Sequence, residues 1–211
     1  MTKHLLVAGP DGSLRDVFAL ASEAYPGRKV ELLHIPSRDY YYFDLEPLAA
    51  YPANEWDLCL AVNEFYINDV RRALHERVVS LGYQCVSAIS PRAHVDASVA
   101  LGDNVVIHAG SFVGAGGQIG DLVVLRPNVV LAEEVAVGSY VTLEANVAVR
   151  EKSKIGNFTT VCANSSLARG TRVGAHCYLN LPQQYSGDII ACTFYSPAFE
   201  NPVRVLEPAP A

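Results

Sequence analysis

Basic charge, long apolar runs and paired cysteines are what this 211-residue sequence has least of. Lysine and arginine number 16 against 22 acidic residues, a formal net charge of −6, so no basic surface is on offer to nucleic acid or anionic lipid. Neither is expected as a partner. No apolar run approaches the roughly 20 residues that a bilayer-spanning helix needs, and "MTKHLLVAGPDGS" lacks the apolar core of a signal peptide. The expected setting is the cytoplasm, away from a membrane. The five cysteines (Cys59, Cys85, Cys162, Cys177, Cys192) are odd in number, scattered and free of any C-x-x-C pair, which argues against a disulfide frame and a zinc site. Buried free thiols are expected instead.

What is present divides in two. From residue 3 to 89, short apolar runs alternate with amphipathic segments. "KHLLVAG", "KVELLHI" and "WDLCLAV" read as strands, and "QCVSAIS" as the strand that closes the unit. "SLRDVFALASEAY" sets Leu14, Val17, Phe18 and Ala21 on one helical face, and "NDVRRALHERVVSLGY" is a second helix with Asp69 near its start and Gly82 just past its end. This order implies a small, mostly parallel sheet covered by helices, with ligands at the carboxyl ends of its strands. The irregular stretch that contains Tyr40, Tyr41 and Tyr42 either lines a pocket or covers the sheet edge.

From Ile89 the period becomes six. Every sixth residue from Ile89 to Leu179 is Ile, Val or Leu, sixteen positions without an insertion, and the residues two before them are small or valine. Both columns are expected to point inward. Each hexapeptide is then a short strand and a bend, and three make an eighteen-residue triangular coil. Gly102, Gly120, Gly138, Gly156 and Gly174 recur at that spacing and form a ladder along one corner, where an unusual backbone angle suits glycine. The expected architecture is an α/β domain over 1–88, a parallel β-helix of about five coils over 89–180, and a cap and tail over 181–211, with "EPAPA" frayed.

The hexapeptide run, the α/β unit before it and the joint "GYQCVSAISPRAHVDASVALGDNVVI" resemble bacterial sugar O- and N-acyltransferases of the NeuD/PglD type. The joint carries the "isoleucine, any, proline, any, alanine" phrase of that family at Ile89, Pro91 and Ala93. The resemblance, over roughly residues 3–180, implies a left-handed β-helix, a homotrimer with sites between neighbouring helices, and acetyl-CoA as acyl donor. It also implies a nucleotide-sugar held by the N-terminal domain. A histidine oriented by a carboxylate serves such enzymes as general base.

The chain departs from that pattern at the base. The column that would hold the histidine reads Ala97, Ala115, Glu133, Glu151 and Arg169. In "VREKSKIGNFTTV", Glu151 stands in the base position, Lys152 replaces its acidic partner, and Thr160 falls where a second histidine contacts the acyl donor. Gly156 and Gly174 belong to the same expected donor site. Where the family has a turn of the kind "G-x-G-G-H-G", this chain has "AGPDGSLRD", keeping Gly9 and Gly12 with Ser13 following, a tight turn before a helix that can hold an anion.

Glu151 is a candidate base if a dry crevice raises its pKa; the alternative is that Glu133 and Glu151 are solvated corner residues paired with Arg150, Lys152 or Arg169. His108 is the other candidate base, against the plainer reading of a surface histidine on a corner. His176 shares a column with Tyr140 and Phe158 and reads as part of an outer ladder, and His94 has no assigned role. One histidine in each of three distant coils cannot converge on zinc, so no metal is expected. Two functions follow: an acyl-CoA-dependent transferase acting on a nucleotide-linked sugar or similar small molecule, or a catalytically lapsed trimer that binds a ligand or scaffolds a partner.

Overall fold

In a computed structural model of the chain, residues 2–10, 12–39, 41–64 and 68–205 are described. The N-terminal unit contains β1 (His4–Gly9), α1 (Leu14–Ala24), β2 (Val30–His34), β3 (Trp56–Leu60) and α2 (Asp69–Ser80). Its strands pair in parallel in the order β2-β1-β3. Alternation along β1 sends Leu5 and Val7 toward α1, with Leu14, Val17 and Ala21, and sends Leu6 and Ala8 toward α2, with Leu74 and Val78. Gly82, at φ +87°, stops the chain just beyond α2, as its position in the sequence suggested.

The fourth expected strand is not one. Cys85 makes a single parallel bridge to Leu58, with Leu58 N donating to Gln84 O at 2.9 Å and Val86 N to Leu58 O at 2.7 Å. The chain then leaves the sheet, and Ala88–Ile89 opens the solenoid instead. The rest of the β3 edge is satisfied from the solenoid: Leu60 N donates to Asn104 Oδ1 (2.6 Å) while Asn104 Nδ2 donates to Leu60 O (3.1 Å). A side-chain amide thus does the work of a neighbouring peptide.

Tyr40 and the "EPAPA" tail lie outside the described residues. Tyr41 and Tyr42 are exposed, and it is the following Phe43, 4 % exposed, that enters the core.

The solenoid has three faces. Strands of the first face run from Ala88–Ile89 through Val106–Ile107 and four further rungs to Thr193–Tyr195; the second starts at His94–Val95 and the third at Ala100–Leu101. Neighbours pair in parallel at a register of eighteen residues, Leu125 against Leu143 and Val137 against Ile155. From Val105 and Ile107 to Cys177 and Leu179 the apolar members of both expected columns form one buried cluster; in the first coil, at the open end, Ile89 and Val95 are only half-buried and Leu101 is exposed. Each fully buried Val or Leu contributes roughly 1.5–3 kcal/mol relative to an exposed position.

Two expectations need correction. The coils number six rather than five, because pairing continues after the sequence repeat is lost: Tyr185 pairs with Leu167, Ile189 with Val173 and Tyr195 with Leu179. This last coil is two residues short at one corner, and an antiparallel strand, Val203–Arg204, closes its edge.

The glycine ladder also has a different cause. The left-handed residues of that corner are Asn104, Leu122, Tyr140, Phe158 and His176, two places beyond the glycines. The glycines are needed because the next coil passes so close: a Cβ on Gly156 would lie 2.5 Å from Ala175 N and 2.6 Å from Gly174 C.

The N-terminal unit lies on the first face. Ala88, Val106 and Val124 pack with α1, and Leu122 enters the core on the α2 side. Arg71 of α2, 2 % exposed, ties the joint together. It donates from Nε to Val62 O (3.1 Å), from Nη1 to Leu122 O (2.8 Å) and from Nη2 to Thr142 Oγ1 (3.0 Å).

Candidate functional site

The candidate residues fall on different corners of the triangle. The first corner, between the first and second faces, carries His108, Arg126, Glu144 and Cys162; the second carries Glu133 and Glu151; the third carries Gly156 and Gly174. Thr160 lies on the first face. One chain does not bring them together.

On the second corner an open groove of about 430 Å³ is lined by Asp96, Phe112, Gly114, Ala115, Ala132, Glu133 and Glu151. Coil stacking puts Glu133 one rung from Glu151, since Lys152 N donates to Glu133 O (3.1 Å) and Gly170 N to Glu151 O (2.9 Å). Three carboxylates, small residues and one aromatic edge therefore share a single surface. Glu133 is exposed. Among the described residues Glu151 Oε2 is buried without a hydrogen bond, and the nearby Arg150 Nε, at 3.6 Å, is an ion-pair neighbour beyond hydrogen-bond reach. Lys152 turns the other way, with Nζ 3.9 Å from Glu134 Oε2. Chemically the groove can hold an ammonium group or take a proton.

On the first corner the structure corrects the reading of His108 as a surface histidine. It is 4 % exposed, because α1 lies across that corner. Nδ1 is 3.7 Å from Asp16 Oδ2. His176 stacks on Phe158 (4.7 Å between ring centroids, 11° between planes) and Phe158 on Tyr140 (4.8 Å, 4°), the outer ladder that the column implied. His94 stacks on Phe112 at the rim of the second-corner groove.

At the N-terminal turn, Gly9 is dictated by packing: a Cβ there would meet Ala61 O at 1.9 Å. A Cβ on Gly12 would meet nothing within 4 Å. Ser13 precedes α1 in right-handed helical geometry (φ −73°, ψ −14°), its carbonyl accepting from Val17 N at 3.0 Å. β1 and β3 end side by side here, the position where open parallel sheets bind ligands.

The carboxyl end of β3 leads on toward the first face. Thr160 is 1 % exposed and its Oγ1 accepts from Asn68 Nδ2 (3.1 Å), while Thr142 Oγ1 donates to Asn68 Oδ1 (2.8 Å). Tyr178, one rung beyond Thr160, has its phenol pKa raised by burial first, then by Glu144 and Glu64. Glu144 Oε2 is anchored by Ala163 N at 3.0 Å. Asn68, Glu64, Glu144 and Tyr178 were not selected from the sequence. For Glu144 the signal is present, since it shares the His108 column; for Glu64 and Asn68 there is none, because the solenoid residues they meet lie 74 or more positions away.

Among the described residues no group of three or more His, Cys, Asp or Glu is arranged to hold a metal ion, and no helix is long and apolar enough to cross a membrane.

No protein-family model and no curated protein sequence matches the chain. Solved structures do. The acetyltransferase domain of PglB from Neisseria gonorrhoeae FA1090 is 20 % identical over 93 % of this chain and 98 % of its own, with a TM-score of 0.78. The same domain in complex with acetyl coenzyme A is 19 % identical over 92 % and 96 %, also at 0.78. A histidine-to-alanine variant of GDP-perosamine N-acetyl transferase from Caulobacter crescentus, in complex with CoA and GDP-perosamine, is 21 % identical over 92 % and 93 %, again at 0.78. The chain thus has, over nearly its whole length, the two-part fold of these acetyltransferase structures: a small parallel sheet with helices, followed by a parallel β-solenoid.

Proposed function

We propose that the protein is an acyl-CoA-dependent acyltransferase that moves an acetyl group to an amino or hydroxyl group of a nucleotide-linked sugar or similar small molecule. The observation that carries this reading is the likeness of both parts of the chain, in one continuous arrangement, to structures described with acetyl-CoA and with CoA and GDP-perosamine. In this reading the nucleotide lies at the Gly9, Gly12 and Ser13 turn and the acyl donor lies along the coils near Gly156 and Gly174; Thr160, expected from the sequence to meet the donor, is instead spent in the joint with Asn68. Glu151 is the base, with Glu133 beside it.

The second-corner groove and the crevice at the ends of β1 and β3 lie on different sides of one chain. A homotrimer resolves this by setting the groove of one copy against the crevice of the next, and Phe112 and Val130, exposed beside the groove, are apolar surface suited to that contact. The acceptor nitrogen or oxygen attacks the thioester carbonyl carbon and passes its proton to the Glu151 carboxylate. Collapse of the tetrahedral oxyanion breaks the C–S bond, and the departing thiolate takes the proton as free CoA. Substrates of this kind place the reaction in the cytoplasm, without nucleic acid.

A second reading, a catalytically inactive trimer of the same fold that binds a ligand or scaffolds a partner, is favoured by one fact: the second corner offers Ala97, Ala115, Glu133, Glu151 and Arg169, and no histidine. Free thiol release from acetyl-CoA, measured with UDP-, dTDP- and GDP-linked amino sugars, decides between them. The transferase reading expects turnover with one of these, reduced roughly 10²-fold or more in Glu151→Gln. A thermal shift with acetyl-CoA or a nucleotide-sugar but no turnover selects the binding protein. Absence of both responses sinks the transferase and the ligand-binding form of the second reading, leaving the scaffold. A rate unchanged in Glu151→Gln but lost in His108→Ala moves the base to the first corner.

A further inference from the structure

His108 sits where α1 crosses the first corner, its side chain 5 % exposed. Nε2 is buried and, among the described residues, has no hydrogen-bond partner. The charged groups around it come from both elements that enclose it: Asp16 and Glu23 from α1, and from the solenoid Arg126 one rung above and Arg92, two places beyond Ser90 on the coil below. These four already pair with one another, Arg126 Nη1 with Asp16 Oδ2 at 3.2 Å and Arg92 Nε with Glu23 Oε1 at 3.1 Å. The rest of the cleft wall is Ser90 and apolar surface.

A neutral ring with its proton on Nδ1, toward Asp16, fits this enclosure, since Nε2 is then a bare acceptor. A second proton places an N–H where nothing accepts it and a cation beside Arg126, whose guanidinium already claims Asp16. We propose that His108 is a proton-operated latch: while neutral it lets α1 close on the first corner, and when protonated it loosens α1 from the solenoid. Burial holds the imidazole below its ordinary range, with Asp16 acting against burial and Arg126 acting with it.

The unfolded or undocked ring takes its proton at the ordinary value of about 6.5, before the docked ring does, so the latch is fully closed above that pH and weakens as pH falls through it. Asp16 lies in the first turn of α1, directly after the Gly9–Ser13 turn. On the nucleotide-binding reading proposed above, acidification would therefore release the ligand together with α1. That consequence rests on the proposed function; the latch does not.

The test compares wild type, His108→Gln and His108→Phe at pH 7.5 and 5.5, without substrate. Wild type is expected to lose roughly 2–4 °C more in Tm over this interval than either variant. Its His108 ring should titrate below about 6.5 by NMR. Amide protection across Leu14–Ala24, corrected for the intrinsic slowing of exchange in acid, should fall at pH 5.5 in wild type and stay level in the variants. A ring that titrates at or above the ordinary value, or the same pH dependence in all three proteins, overturns the latch. Should both variants fail to fold, the ring titration and α1 exchange in wild type decide alone. Acyl transfer enters none of these measurements, so failure of the enzyme reading leaves them intact.

Discussion

On the first face of the solenoid the outward residues Val106, Thr142 and Thr160 are buried beneath the N-terminal unit, whereas on the second face Phe112 and Val130 are 43 % and 42 % exposed. Both faces obey the same hexapeptide rule, with an aliphatic residue inward at the second strand position. The inward column fixes the coil, and the outward column is free to answer to whatever lies against it. On the covered face that is a polar joint in which Arg71, Asn68, Thr142 and Thr160 satisfy one another; on the bare face it is an apolar stripe beside three carboxylates. Fold and site are thus written in alternate residues of the same strands.

The comparison breaks most visibly at Arg71. Arg71→Leu leaves Val62 O, Leu122 O and Thr142 Oγ1 without their donor, and is expected to cost on the order of 4 kcal/mol in equilibrium denaturation. A loss under about 1 kcal/mol would mean that the joint contributes little. Thr142→Val removes one hydroxyl from the same network and should cost about 1–2 kcal/mol.

Thiol labelling sharpens the contrast between covered and bare surface. Cys59 and Cys85, in the N-terminal core, have thiol pKa values pushed up to about 12 by burial, and should react with a thiol reagent far more slowly than the half-buried Cys192. Equal rates would show that the core opens readily. On the bare face, Phe112→Ser with Val130→Thr should change the stability of a single chain by no more than about 0.5 kcal/mol each. Light scattering should nonetheless report loss of the proposed trimer.

The solenoid was legible from the sequence because its inward column tolerates only aliphatic side chains, and eighteen-residue spacing leaves a count that survives any surface composition. The sixth coil was not, since Tyr185 and Tyr195 replace aliphatic residues there and the shortened corner breaks the count. The glycine ladder was legible as a ladder, yet its cause lies in the backbone of the following rung. His108 reads from the sequence as a surface residue because the helix that covers it lies about ninety residues earlier in the chain. Glu133 and Glu151 were correctly placed on one corner by arithmetic, while their shared groove depends on Phe112 and Asp96, which belong to other rungs. Periodicity specifies what repeats; a site is built from what does not.

The short last coil bears on how such a chain can change over generations. A duplication or deletion of eighteen residues within 89–180 leaves every inward column in step, although between Asn104 and Thr160 it would also displace the outward residues that meet Leu60, Asn68 and Arg71. A change of one or two residues cannot be absorbed there, but the same shortfall is already present between Tyr185 and Ile189, where no further storey follows. For the inward columns the natural step of length change is a whole storey, and the shortfall that breaks this step lies at the roof.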